Sequence, residues 1–198
     1  ILILIAILFI TPFFFKGKIV ELLNQEVSKQ LNAEFSISDK VQLNLFSSFP
    51  NLSLGLHEIV LVNKEPFAGD TLLSIKDFNA TLDVMSVINW DNIKIKSFSL
   101  NQPRIFVKVN SDSIPNYDIM KDNGESETES ATEDESASSF QLVLDHYSIE
   151  NAYVLYDDKP GAMYAEIDKL NHEGSGDITQ DIYNLVTKTN IKALTFIL

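Results

Sequence analysis

Residues 54–61 read LGLHEIVL. The apolar side chains stand at Leu54, Leu56, Ile59 and Leu61, two alternating pairs separated by a three-residue step. Alternation with a period of two marks a strand with one apolar face. The signature recurs at Leu73, Ile75, Phe78 and Ala80, at Ile93, Ile95, Phe98 and Leu100, and at Leu142, Leu144, Tyr147 and Ile149. The steps fall on His57-Glu58, Lys76-Asp77, Lys96-Ser97 and Asp145-His146. None is the Gly- or Asn-rich pair that a two-residue hairpin demands. A β-bulge, one extra residue at each step, would keep the same face apolar and bend the strand. IKIKSFSLNQPRIFV (93–107) and LVLDHYSIENAYVLY (142–156) align without a gap at a constant offset of 49. Repetition of long, bent strands points to an elongated array rather than a compact enzyme.

The chain has 198 residues, a net charge of −13 and 45% apolar content, enough for a large core or a large apolar surface. The acidic balance argues against a nucleic-acid partner, because neutralising phosphates needs clustered Lys and Arg. There is no Cys, which removes disulfides, thiolate metal sites and Cys nucleophiles. The first residue is Ile1 and the last residues, 193–198, are apolar, so the sequence reads as an N-terminal part of something longer.

Residues 1–15, ILILIAILFITPFFF, are apolar throughout. As a helix they span about 22 Å, short of the roughly 20 residues a bilayer core requires. Lys16-Gly17-Lys18 follows, without the small residues of a signal-peptide cleavage site. The expectation is an uncleaved, truncated transmembrane anchor over 1–15. Segment 16–34 follows as an amphipathic helix with the stripe Ile19, Leu22, Leu23, Val27 and Leu31, capping a sheet. Residues 35–121 form a first β segment, and 140–198 continue it. Between them, 122–139 (DNGESETESATEDESASS) holds seven acidic residues and no aliphatic residue larger than Ala. Such a stretch buries too little to offset its ordering entropy and is expected to be disordered. NHEGSGD (171–177) lacks the Lys and the spacing of a phosphate loop and reads as a turn or strand bend.

No catalytic constellation is visible. His57, His146 and His172 lack zinc-site spacing, and neither GxSxG nor a phosphate-binding loop occurs. His57 and His146 sit at the phase step of two copies, where exposed bulge positions are expected. Asp157 and Asp158 are neighbours on a strand and point to opposite faces. The chain is not expected to be an enzyme or to hold a cofactor or metal.

The order of motifs resembles the AsmA-like family. An apolar anchor leads into KIVELLNQEVSKQLN, then into FSISDKVQLNLFSSFPNLSLGLHEIVLVN, a turn followed by a strand ending in Asn63. PFAGDTLLSIKDFNATLDV and VINWDNIKIKSFSLNQPRIFVKV follow, the latter leading to an Asn-aromatic turn at Asn116-Tyr117-Asp118. YSIENAYVLYDDK and SGDI complete the pattern, with Ala152 where the family commonly has Gly. The resemblance implies a mainly β fold with an N-terminal transmembrane helix and one amphipathic helix: an elongated, curved β-groove. It implies a protein anchored in the inner membrane, single-pass and largely periplasmic, that binds and conducts phospholipid between two membranes. The alternative is a scaffold for outer-membrane biogenesis that carries no lipid. Membrane lipids are the expected partners, with outer-membrane or envelope proteins as candidates. The alternating residues nominate the groove lining: Leu54, Leu56, Ile59, Leu61, Ile75, Phe78, Ile93, Ile95, Phe98, Leu100, Leu142, Leu144, Tyr147 and Ile149. Lys76, Lys94, Lys96, Ser99 and Asp145 are expected solvated on the opposite face.

Overall fold

The computed structural model describes residues 17, 20, 21, 23–25, 27–44, 50–89, 93–121, 140–176 and 185–198. The expected anchor, Trp90 and the acidic segment 122–139 lie outside these residues. Among the described residues no helix is long and apolar enough to cross a membrane. The chain is mainly β, one large curved open sheet of eight strands with few helices.

The first helix, α1, comprises the helical residues within 17–30. It is followed by β1 (Ala33–Ser36), β2 (Gln42–Asn44), β3 (Asn51–Asn63), β4 (Thr71–Asp83), a short α2 (Val84–Asn89), β5 (Ile93–Val109), β6 (Phe140–Asp158), β7 (Met163–Ser175) and β8 (Val186–Ile197). The sheet runs β1-β3-β4-β5-β6-β7-β8, with β2 also paired to β3. Ala33 and Glu34, expected in the helical segment, belong to β1, because their backbones pair with Asn63 and Val62. Residues 171–175, read as a turn or strand bend, continue β7 and pair with β8. Strand β8 starts at Val186, within the expected β segment 140–198.

All neighbouring strands are antiparallel except β5 and β6. These two are parallel, and from Ser97↔His146 to Val109↔Asp158 every pair is 49 residues apart. From Ser97 onward the sequence repeat is thus the pairing register, whereas Ile93–Ile95 pair with Phe140–Leu142. Like stacks beside like: Phe98 on Tyr147, Ser99 on Ser148, Leu100 on Ile149.

A parallel pair requires a long crossover, and its first part is ordered by asparagines. Asn110 Oδ1 accepts the backbone N–H groups of Asp112 and Ile114 at 3.0 and 2.9 Å, turning the chain after β5. Asn116 is wholly buried. Its amide donates to the Phe106 carbonyl at 2.7 Å and its Oδ1 accepts the Lys108 N–H at 2.8 Å. The Asn63 amide donates to the Asn116 carbonyl at 2.6 Å. Asn116 thereby completes the edge of β5 beyond the start of β4, where the backbone groups would otherwise be buried unpaired. The two asparagines that mark the ends of separate sequence motifs are one structural unit.

The phase step has two physical origins. At Lys96 the pairing of β5 with β4 shifts between Ser97 and Ile95, a one-residue bulge as expected. At His57-Glu58 and Lys76-Asp77 there is no insertion: Leu56↔Phe78 and Ile59↔Ile75 hold one register. Both strands slip together at the same lateral position. Glu58 has φ 53°, and β5, β6 and β7 carry the same left-handed kink at Gln102 (51°), Asn151 (53°) and Lys169 (53°), whereas β4 between them does not. The register aligns Glu58 with Lys76 and, across β5 and β6, with Gln102 and Asn151. Such conformations are uncommon for residues other than Gly. Here they form a crease across the sheet that returns the next residue to the apolar face. The lateral counterpart of Glu58 on β5 is therefore Gln102, not the Lys96 step that the repeat pattern suggests.

The core lies under α1. Leu52, Leu54, Leu56, Ala80 and Leu82 are buried with Val41 and Val87, against Val20 and Leu23 of the helix. Leu61, Leu72 and Ala33 form a second cluster with Val27, Leu31 and Ile119. The expected stripe members Leu23, Val27 and Leu31 thus face the sheet; Ile19 and Leu22 lie outside the described residues. Asp83 caps α2 by accepting the Ser86 N–H at 2.9 Å, and this bond holds its carboxyl below the usual range.

Candidate functional site: the apolar face

Residues paired across neighbouring strands share a face, so the register assigns the sheet row by row. Leu54, Ala80, Phe98, Tyr147 and Gly174 make one row from β3 to β7. Leu56, Phe78, Leu100, Ile149 and His172 make the next. Beyond the crease come Ile59, Ile75 and Pro103, then Leu61, Leu73, Ile105, Val154, Ile167 and Leu194. Leu54, Leu56, Ile59, Leu61, Ile75, Phe78, Phe98, Leu100, Tyr147 and Ile149 therefore share one face. Ile93 and Leu142 pair with Phe140 and Ile95 at the start of the parallel ladder. Leu144 is buried where that ladder is irregular.

The face is not uniform. On β3 and β4, Leu54, Leu56, Leu61 and Ile75 are buried at 3–9% exposure, the three leucines closed over by α1 and the segment around Val41. Ile59, Phe78, Ile95, Phe98, Leu100, Tyr147 and Ile149 are half-buried. By β8, Leu194 and Phe196 are 63% and 55% exposed. Residues not nominated from sequence extend the face: Ile105 and Val107, Val154 and Tyr156, Ile167 and Leu170. For Ile105, Val107, Val154 and Tyr156 the signal was present in the second alternating half of the two aligned copies; Ile167 and Leu170 lie outside them.

The opposite face is polar above the crease. Ser53, Thr81, Ser97 and His146 form one row, and Gly55, Asn79, Ser99 and Ser148 another. With Gln42 and Asn44 they line a concavity of about 350 Å³. Ser99 lies there as expected, and Lys76, Lys94 and Asp145 are exposed. Lys96 is not freely solvated: its Nζ donates to Asn51 Oδ1 at 2.8 Å and lies 3.5 Å from Asp83. Nor is His57 an exposed bulge residue. Its Nδ1 lies 2.8 Å from Asp77 Oδ1, and its Nε2 is buried without a partner among the described residues. Hydrogen bonds from His57 and Asn101 hold the Asp77 carboxyl below the usual range. His146 is exposed as expected.

On the apolar side, polar atoms gather in one line. Phe98 stacks on Tyr147 at a centroid distance of 5.7 Å, and Tyr147 lies 5.5 Å from the His172 ring. The Tyr147 hydroxyl is 2.9 Å from His172 Nε2, and His172 Nδ1 is 2.8 Å from Thr189 Oγ1. Gly174 makes room: a Cβ there would sit 2.4 Å from the Tyr147 ring.

The geometry defines a class of protein: an open β-sheet with one apolar face, closed by a helix at one end and uncovered, among the described residues, at the other. The sequence pattern of the AsmA family matches residues 1–173, and the chain belongs to that family. Neither a curated protein nor a solved structure matches the chain significantly.

Proposed function

We propose that this chain is part of a membrane-anchored envelope protein that binds phospholipid acyl chains on the apolar face and lets them move along it. The observation that carries this reading is the change in burial along one continuous face: Leu56 is 3% exposed under α1, whereas Leu194 is 63% exposed on β8. Family membership supports a role in outer-membrane assembly or lipid transport. Burial of apolar surface contributes about 0.8 kcal/mol per CH₂ without direction, so an acyl chain is held by many small terms and can slide. The function is non-enzymatic, with the anchor in the inner membrane and the sheet in the periplasm. The buried core beneath α1 favours a second role for β1–β4, as the closed end of the sheet and a scaffold for envelope partners.

A photo-crosslinking residue at Ile167, on the apolar face, is expected to capture phospholipid in cells, and one at Glu150, on the polar face, is not. Equal capture at both positions, or none at Ile167, overturns the reading and leaves the scaffold.

A further inference from the structure

Resting on the lipid reading, we infer that Tyr147, His172 and Thr189 form a site for the ester carbonyl of a glycerolipid, and that it does not select the headgroup. The three side chains run diagonally over β6, β7 and β8 on the apolar face, Tyr147 from the row of Phe98 and Gly174, His172 and Thr189 from the next, with Thr187 opposite Gly174 as a further polar neighbour. Their hydrogen bonds form a chain with one hydroxyl hydrogen left over in the neutral state. If Tyr147 donates to Nε2, then Nδ1–H donates to Thr189, and the Thr189 O–H is free. In the other tautomer Thr189 donates to Nδ1, Nε2–H donates to Tyr147, and the Tyr147 O–H is free. Either way the row offers one neutral donor to a ligand. It can shift that donor between two ends by changing tautomer.

The placement of the row is built. Stacking on Phe98 and the missing side chain at Gly174 fix the Tyr147 ring against β7. The chemistry then selects the acceptor. Lys188, the nearest basic residue on β8, is drawn toward Glu173, 3.7 Å away, in the row that continues the polar face through Ser148. A phosphate is bound best by charge-assisted donors, and this row brings no lysine or arginine. An ester carbonyl needs one neutral donor beside apolar surface for the attached chain, and both are here. A lipid whose acyl chains lie on Ile149 and Leu170 would place its ester linkage at the row and its headgroup off the sheet.

Two matched lipid pairs test this: diester and diether phosphatidylcholine, and diester and diether phosphatidylglycerol. The ether lipids lack only the carbonyl acceptors. The whole protein in detergent, loaded from mixed micelles, is expected to take up each diester roughly 3- to 10-fold better than its diether, the worth of one hydrogen bond, with little difference between headgroups. The double variant Tyr147→Phe, Thr189→Val is expected to lose the ester preference and keep diether binding. Preference for phosphatidylglycerol over phosphatidylcholine in both linkages would overturn the inference in favour of headgroup selection. Equal uptake of diester and diether by the wild type, or an unchanged preference in the double variant, would also overturn it and leave the lipid reading intact. No uptake of any of the four lipids would remove both.

Discussion

Strands β3–β4 and β7–β8 carry the same alternation and meet different fates. On the first pair the apolar side chains are sealed beneath α1 and the segment around Val41. On β8 every described side chain is exposed. The difference does not come from the strands themselves. It comes from what the chain lays over them and from the place of β8 at the edge of the sheet, for the helix reaches only as far as its own stripe of Val20, Leu23 and Val27. One face can therefore be core at one end and surface at the other without any change in its pattern.

A carboxylate placed at each end separates the two fates most widely. Leu56→Asp puts a charge into a site with no partner and is expected to cost about 4 kcal/mol or more, or to prevent folding. Leu194→Asp stays hydrated and is expected to change stability by less than about 0.5 kcal/mol. Urea unfolding of both variants measures the contrast, and similar losses would mean that the face is covered throughout.

Gly174 tests packing in the open half. Gly174→Ala drives a Cβ to 2.4 Å from the Tyr147 ring. The expected cost is about 1–3 kcal/mol. Repeating the substitution in a Tyr147→Ala background should make it nearly free, and a double-mutant cycle reads the coupling. Additive costs would show that the ring does not rest on the glycine.

The smallest effect belongs to the polar face. Asp77 has a lowered folded-state pKa, chiefly through its hydrogen bond from His57. Its unfolded value is about 3.9. The stabilisation is complete above that value and is lost as pH falls through the lower folded value. Between about pH 5 and pH 2 the urea midpoint of the wild type should fall more steeply than that of Asp77→Asn. Parallel slopes would remove the role assigned to this carboxylate.

The apolar face was legible in the sequence because a strand writes its two sides with a period of two. Leu54, Phe78, Leu100 and Ile149 share a side for that reason. Coverage was not legible, since Leu56 and Leu100 have the same pattern and differ only in what lies above them. The phase steps were legible but their physical kind was not: the step at Lys96 is the expected bulge, whereas no residue is inserted at His57-Glu58 or Lys76-Asp77. A left-handed kink at Gln102 and a bulge at Lys96 both shift the phase, and only the pairing register tells them apart. NHEGSGD read as a turn or strand bend because its glycines suggest one. Gly174 instead serves a ring from the neighbouring strand, a contact that no local pattern encodes. The Tyr147–His172–Thr189 row was missed for the same reason: its members are close only after β6, β7 and β8 have paired.

The parallel pairing of β5 with β6 bears on how such a sheet can lengthen over evolutionary time. A tandem copy that settles beside its parent, residue on equivalent residue, inherits a working register from the start. Its apolar and polar sides already match those of its neighbour. Ser97–Val109 and His146–Asp158 hold that relation with different sequences. Duplication followed by drift could thus add width without first inventing a new interface, provided that the intervening segment can carry the chain back to the starting edge.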